Sequence, residues 1–192
     1  MFVGQRLNNM RRKDENMEKV SVLLSEEEVN KRIRELAEEI NKDYKGCKCL
    51  KLIGILKGSV FFMTELAKHV TVPVKLDFMS VSSYQDGTES TGTVKIVKDL
   101  DEPIKGDDIL VVEDIIDSGN TLSYLLKMFE ERKPNSIKLC TLLDKPERRK
   151  VDVKVDYEGF KIPDKFVVGY GLDYAQRYRN LPYIGVIDFI NE

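Results

Sequence analysis

Ile109-Leu110-Val111-Val112-Glu113-Asp114-Ile115-Ile116-Asp117-Ser118-Gly119-Asn120-Thr121-Leu122 is the most informative segment of the chain. Its four leading apolar residues suit a strand buried on both faces, the mark of a parallel sheet. Two adjacent carboxylates end that strand, a tight turn with a third carboxylate follows, and a helix starts within the hydroxyl-rich stretch Ser118 to Thr121. Backbone N–H groups freed at such a turn and helix N-terminus can grip a phosphate, with help from the Ser118 and Thr121 hydroxyls and close approach at Gly119. Three carboxylates would repel that guest unless they hold sugar hydroxyls or recruit Mg²⁺, which bridges to phosphate oxygens. Between Asp101 and Asp117, seven acids stand against one base, Lys105. Asp101, Glu102, Asp107 and Asp108 fit surface acids flanking a strand, whereas Glu113, Asp114 and Asp117 lie at its functional end.

Outward from this segment, strands and helices alternate. Ser25-Glu26-Glu27-Glu28 reads as a helix start, with a serine cap, glutamate three residues on and acids at the positive end of the dipole. Val29, Ile33, Leu36, Ala37 and Ile40 then recur at helical spacing. Leu50 to Leu56 reads as a buried strand, Lys57-Gly58-Ser59 breaks it, and Val60 to His69 reads as a helix. Val74 to Ser83 and Val94 to Val97 read as strands on either side of a Gly-, Ser- and Thr-rich loop, Tyr84 to Thr93. Leu122 to Phe129 reads as a helix, and Ile137 to Leu143, Lys165 to Leu172 and Tyr183 to Ile187 as further strands. Such an order predicts an α/β fold with a mainly parallel sheet and ligands beyond the carboxyl ends of its strands.

The 192 residues suit one domain, at about 100–200 residues each. Lys and Arg number 31 against 33 Asp and Glu, a balance that argues against bulk binding of nucleic acid. No run approaches the ~20 apolar residues of a membrane span, so a cytoplasmic protein without a membrane partner is expected. Cys47, Cys49 and Cys140 form no zinc pattern with the single histidine, His69, which reads as a helix-end residue. Residues 1–16 are polar and unpatterned, and are expected to be a disordered extension to a domain at 17–192.

Other phosphate motifs are absent: there is no Gly-x4-Gly-Lys-Ser/Thr loop, and Gly169 with Gly171 lacks a third glycine. Val111 to Thr121 resembles the phosphoribosyl diphosphate signature of the type I phosphoribosyltransferases. Leu56-Lys57-Gly58-Ser59 resembles the family's pyrophosphate loop, Ser82-Ser83-Tyr84 with Ser90-Thr91-Gly92 its lid, Leu143-Asp144-Lys145 its purine lysine, and Asp164 to Arg179 its purine clamp. The resemblance runs from Val20 to Ile187 and is strongest to the bacterial hypoxanthine-preferring branch. Departures are mild: Ser118 replaces a frequent threonine and Ser59 a frequent glycine, and Asn120 is a variable position.

That resemblance implies a type I phosphoribosyltransferase fold: a central sheet flanked by helices, with a small hood over the active site. It implies transfer of phosphoribose from 5-phosphoribosyl diphosphate (PRPP) to N9 of hypoxanthine, and of guanine, giving the nucleotide and pyrophosphate with Mg²⁺ as cofactor. Glu113 and Asp114 would bind the ribose hydroxyls, directly and through Mg²⁺, and Asp117 would accept a purine proton. Ser118, Gly119, Asn120 and Thr121 would cradle the 5′-phosphate, while Lys57, Gly58 and Arg179 would meet pyrophosphate. Lys145 would donate to purine O6, Phe166 would stack on the base, and Val167 and Lys165 would lie at its edge. Asp173 would hold a second Mg²⁺, Ser83 and Tyr84 would belong to the lid, and the family's assemblies imply a homodimer or homotetramer. A different class on the same fold, a PRPP-sensing regulator that binds nucleic acid, could dispense with Asp117, Lys145 and the lid and would call for a basic face.

Overall fold

The computed structural model describes residues 18–83 and 94–189. Residues 1–16, together with Tyr84, Ser90, Thr91 and Gly92 of the expected lid, lie outside the described residues. Chain order gives strand β1 (Glu18–Leu24), helix α1 (Glu26–Asp43), β2 (Leu50–Leu56), α2 (Val60–His69), β3 (Val74–Ser83), β4 (Val94–Lys98) and β5 (Asp108–Ile116). Then come α3 (Asn120–Glu131), β6 (Ser136–Asp144), a 3₁₀ turn at Pro146–Arg148, β7 (Tyr157–Lys161), β8 (Val167–Val168) and β9 (Ile184–Phe189).

Two sheets result. The larger has the order β4-β3-β2-β5-β6-β7, parallel throughout except for β4, which runs antiparallel to β3 at the edge. The smaller, β1-β9-β8, is antiparallel and forms the hood. The strand after β2 is added on one side and the strand after β5 on the other, so the order reverses between β2 and β5, where an α/β sheet opens a crevice for ligands.

Strand alternation explains why β5 must be apolar. Leu110 and Val112 pack with α1 and α2 residues such as Ile33, Leu36 and Phe62, while Ile109 and Val111 pack with Leu125 and Phe129 of α3. Phe62 and Phe129 are fully buried, and each side chain of that size stabilises by about 1.5–3 kcal/mol relative to exposure. Helix α1 starts as its sequence demands: Glu28 N–H donates to Ser25 Oγ at 3.3 Å, and Ser25 N–H donates to Glu28 Oε2 at 2.8 Å.

Three sequence expectations change. Strand β5 does not end before its carboxylates but runs on to Ile116, because Ile115 and Ile116 pair with Leu143 and Asp144 of β6 and Ile116 is buried. The expected strand Lys165 to Leu172 contracts to Val167–Val168, since the chain turns through left-handed Gly169, Tyr170 and Gly171. Strand β7 carries no strand signal in the sequence: Tyr157-Glu158-Gly159-Phe160-Lys161 is charged and interrupted by glycine, and it holds as an edge strand paired to β6.

Candidate active site

The loops leaving β2, β5 and β6 meet at one end of the large sheet. Glu113, Ile115, Asp117, Ser118, Gly119 and Thr121 line a cleft there. Gly119 caps α3 at φ 83°, a left-handed conformation that disfavours any side chain, and a Cβ on it would come within 2.7 Å of the Val151 carbonyl. Asn120 N–H donates to Ser118 Oγ at 3.4 Å and Ser123 N–H to the Gly119 carbonyl at 2.9 Å, which leaves the Thr121 and Leu122 N–H groups as first-turn donors beside the Ser118 and Thr121 hydroxyls. A helix start of this kind can cradle an anion.

The loop after β6 braces that cradle from behind. Lys150 and Val151 N–H both donate to the Ser118 carbonyl, at 2.9 and 3.1 Å, and Lys145 N–H donates to the Ile116 carbonyl at 2.9 Å. Lys145 itself is buried, with Nζ 3.7 Å from Asp164 Oδ1. Arg149 closes the loop's base by an ion pair with Asp144. Arg148 Nε lies 2.6 Å from Asp117 Oδ1, close in distance but poorly aligned for a hydrogen bond, and its Nη1 reaches Asp164 Oδ2 at 3.3 Å.

Glu113 and Asp114 keep some accessible surface yet sit deep among protein atoms. Burial, with Asp114 beside it, pushes the Glu113 carboxyl well above the usual carboxylate range. Burial also raises Asp114, opposed by hydrogen bonds from Glu113 and the backbone and by the charge of Arg179. Glu113 Oε2 is buried without a hydrogen-bond partner. A carboxyl raised in the folded state contributes stability that is complete below its unfolded value, about 4.3, and is lost as pH rises through the folded value. Glu113→Gln should therefore melt higher than the wild type at pH 8 without ligands, and the gap should shrink toward pH 4. A melting difference that is the same at both pH values would contradict this.

On the other side of the crevice, Gly58 fits between two neighbours. A Cβ on Gly58 would overlap the Asp114 carboxylate, and one on Gly171 would overlap the Gly58 carbonyl. Arg179 Nη1 donates to the Gly171 carbonyl at 2.6 Å, and Nη2 pairs with Asp173 Oδ1 at 2.7 Å. Gln176, a residue that no sequence motif singles out, joins this group: its Oε1 accepts from Lys57 Nζ and Arg179 Nη2, both at 3.3 Å, and its N–H donates to Asp173 Oδ2 at 2.8 Å. Ala175 and Gln176 are both left-handed, a fold-imposed conformation that no local pattern announces.

The expected base clamp is assembled in part. Phe166 is half exposed and meets Tyr174 edge-on at 5.7 Å, Val167 is buried in β8, and Lys165 is exposed beside them. Ser82 and Ser83 end β3 opposite Lys95 and Val94, and Tyr84, Ser90, Thr91 and Gly92 lie outside the described residues. Among the described residues no group of three or more His, Cys, Asp or Glu could hold a metal by itself. Mg²⁺ in phosphate sites is bound by one or two carboxylates together with substrate oxygens, and the unpartnered Glu113 oxygen beside Asp114 fits that pattern. Asp173 lies on the loop after β8, paired with Arg179.

Residues 19–175 match the family described as the phosphoribosyl transferase domain. The chain is 58% identical over 166 residues to a hypoxanthine-guanine phosphoribosyltransferase of Bacillus subtilis, covering 86% of this chain and 92% of that protein. It is 53% identical over 174 residues to a hypoxanthine phosphoribosyltransferase of Salmonella typhimurium, covering 90% and 98%. Among solved structures, a hypoxanthine phosphoribosyltransferase of Staphylococcus aureus superposes with a TM-score of 0.84 at 52% identity, covering 88% of this chain and 91% of that one.

Proposed function

The chain belongs to the phosphoribosyltransferase family, and from that premise we propose that it is a hypoxanthine phosphoribosyltransferase of purine salvage. It transfers 5-phosphoribosyl from PRPP to N9 of hypoxanthine, and of guanine, releasing pyrophosphate. The observation that carries this reading is the bracing of the anion cradle by the Lys145 loop, through Lys145 N–H to Ile116 and Lys150 and Val151 N–H to Ser118. A donor for a base oxygen and a cradle for a phosphate are thereby held at fixed separation, as a nucleotide requires. The regulator reading finds no support: the relatives carry enzyme names, and net charge is only -2.

In this reading the C1′–pyrophosphate bond breaks as the C1′–N9 bond forms, through a cation-like sugar. Ser118, Gly119, Asn120 and Thr121 hold the 5′-phosphate, and Glu113 with Asp114 takes the ribose hydroxyls. Lys57, the Gly58 backbone and Arg179 receive the departing pyrophosphate, whose negative charge suits the two cations. Mg²⁺, when bound by Glu113, Asp114 or Asp173 with substrate oxygens, supplies further positive charge to that leaving group. Asp117 accepts the purine proton at N7. Phe166 stacks on the base, Val167 and Lys165 lie at its edge, Ser83 and Tyr84 belong to a lid that excludes water, and the domain spans 17–192. Cytoplasmic location and assembly as a homodimer or homotetramer follow the family resemblance, and no described helix is long and apolar enough to cross a membrane.

Lys145 sets the base class. Its ammonium group can only donate, which suits the exocyclic oxygen of a 6-oxopurine and opposes the amino group of adenine. Loss of such a charge-assisted bond is worth about 1.5–3 kcal/mol. Lys145→Ala should accordingly raise KM for hypoxanthine at least about tenfold while KM for PRPP moves far less. Equal changes in both constants would make Lys145 a structural residue.

A further inference from the structure

Arg148 is used by none of the roles above, yet it spans the two carboxylates that frame the base site. Its Nε sits 2.6 Å from Asp117 Oδ1, and its Nη1 lies 3.3 and 3.4 Å from the two oxygens of Asp164, the residue that also faces Lys145 Nζ at 3.7 Å. Asp117 Oδ1 is buried, whereas the Asp117 side chain as a whole is 47% exposed. The exposure therefore falls on the rest of the side chain, and Asp117 lines the cleft.

We infer that Arg148 is a positioning residue for the purine-proton acceptor: it pins Oδ1 of Asp117 from behind and leaves the other carboxylate oxygen turned to the cleft. A cation that contacts only the inner oxygen fixes the carboxylate's rotation without occupying the oxygen that meets the base. The same guanidinium ties Asp117 to Asp164, at the start of the segment that carries Phe166 and Val167, so the acceptor and the stacking residue keep a common reference. A lysine, with a point charge in place of the planar fork, can satisfy one of these carboxylates but not both in the same geometry. The 3₁₀ turn Pro146–Arg148 is what delivers the side chain there; its first turn follows directly on Lys145.

This inference rests on Asp117 being the proton acceptor, and a double-mutant cycle separates the two ideas. Initial rates are measured for wild type, Arg148→Ala, Asp117→Asn and the double variant at saturating hypoxanthine, PRPP and Mg²⁺, with Arg148→Lys alongside. We expect Arg148→Ala to lower kcat about tenfold, which is within the loss that sub-ångström misplacement of a reacting group produces, with KM for PRPP unchanged within about twofold. Arg148→Lys should recover part of the loss. In the Asp117→Asn background, removing Arg148 should cost less than about a further twofold, because the group it positions is already disabled. The same fold loss in both backgrounds, or an unchanged kcat in Arg148→Ala, would overturn the positioning role while leaving Asp117's role intact. Wild-type turnover in Asp117→Asn alone would instead remove the premise, and the inference with it.

Discussion

Asp117→Asn is expected to lower kcat by about 10²–10⁴, the range in which a positioned general base contributes. Asparagine has the shape of aspartate but cannot take a proton, so the substitution removes the chemistry and leaves the fold. The lost contact with Arg148 is half exposed on both sides, and pairs of that kind contribute at most about 1 kcal/mol, so melting temperature should barely move. Both KM values should stay near those of the wild type, because the 5′-phosphate cradle from Ser118 to Thr121 and the donor at Lys145 are untouched. Initial rates at saturating substrates test this, and turnover at the wild-type rate would exclude Asp117 as the acceptor.

Gly58→Ala should be nearly as damaging for a steric reason. The new Cβ would overlap the Asp114 carboxylate on one side, while the Gly58 carbonyl on the other is packed so closely that Gly171 has no room for a side chain. Asp114 is short and packed among protein atoms, so the collision must displace either that carboxylate or the backbone expected to meet pyrophosphate. A misplacement of about 1 Å in such a group costs about 10²-fold in rate. We therefore expect kcat/KM for PRPP to fall about 10²-fold, with hypoxanthine affinity much less affected. Kinetics within about twofold of wild type would show that the loop has slack the packing does not suggest.

The parts of the fold legible in the sequence are those set by side-chain period. The β5 run can be read because both of its faces are covered, and α1 because Ser25 and Glu28 satisfy each other's backbone. Strand β7 is not legible, because an edge strand needs no continuous apolar run and Glu158, Gly159 and Lys161 conceal it. The end of β5 is misplaced by sequence because carboxylates ordinarily mark a strand's end, whereas here Glu113 and Asp114 lie within the strand with raised proton affinity. At the site, Glu113 to Thr121 stand out from their neighbours along the chain alone, whereas Lys57-Gly58 reads there only as the break after a strand and takes a site role only through the family resemblance. Gln176 and Arg148 do not stand out, since each acts by bridging side chains far apart in sequence: Lys57 with Arg179, and Asp117 with Asp164.

In the proposed reaction the crevice between β2 and β5 joins a 6-oxopurine to the phosphoribosyl group of PRPP. The direct measurement is an initial-rate comparison of hypoxanthine, guanine, xanthine and adenine at fixed PRPP and Mg²⁺, with pyrophosphate release as the readout. Hypoxanthine, and guanine, should turn over, with adenine at background. Turnover of adenine at a comparable rate, or of no purine at all, would contradict it.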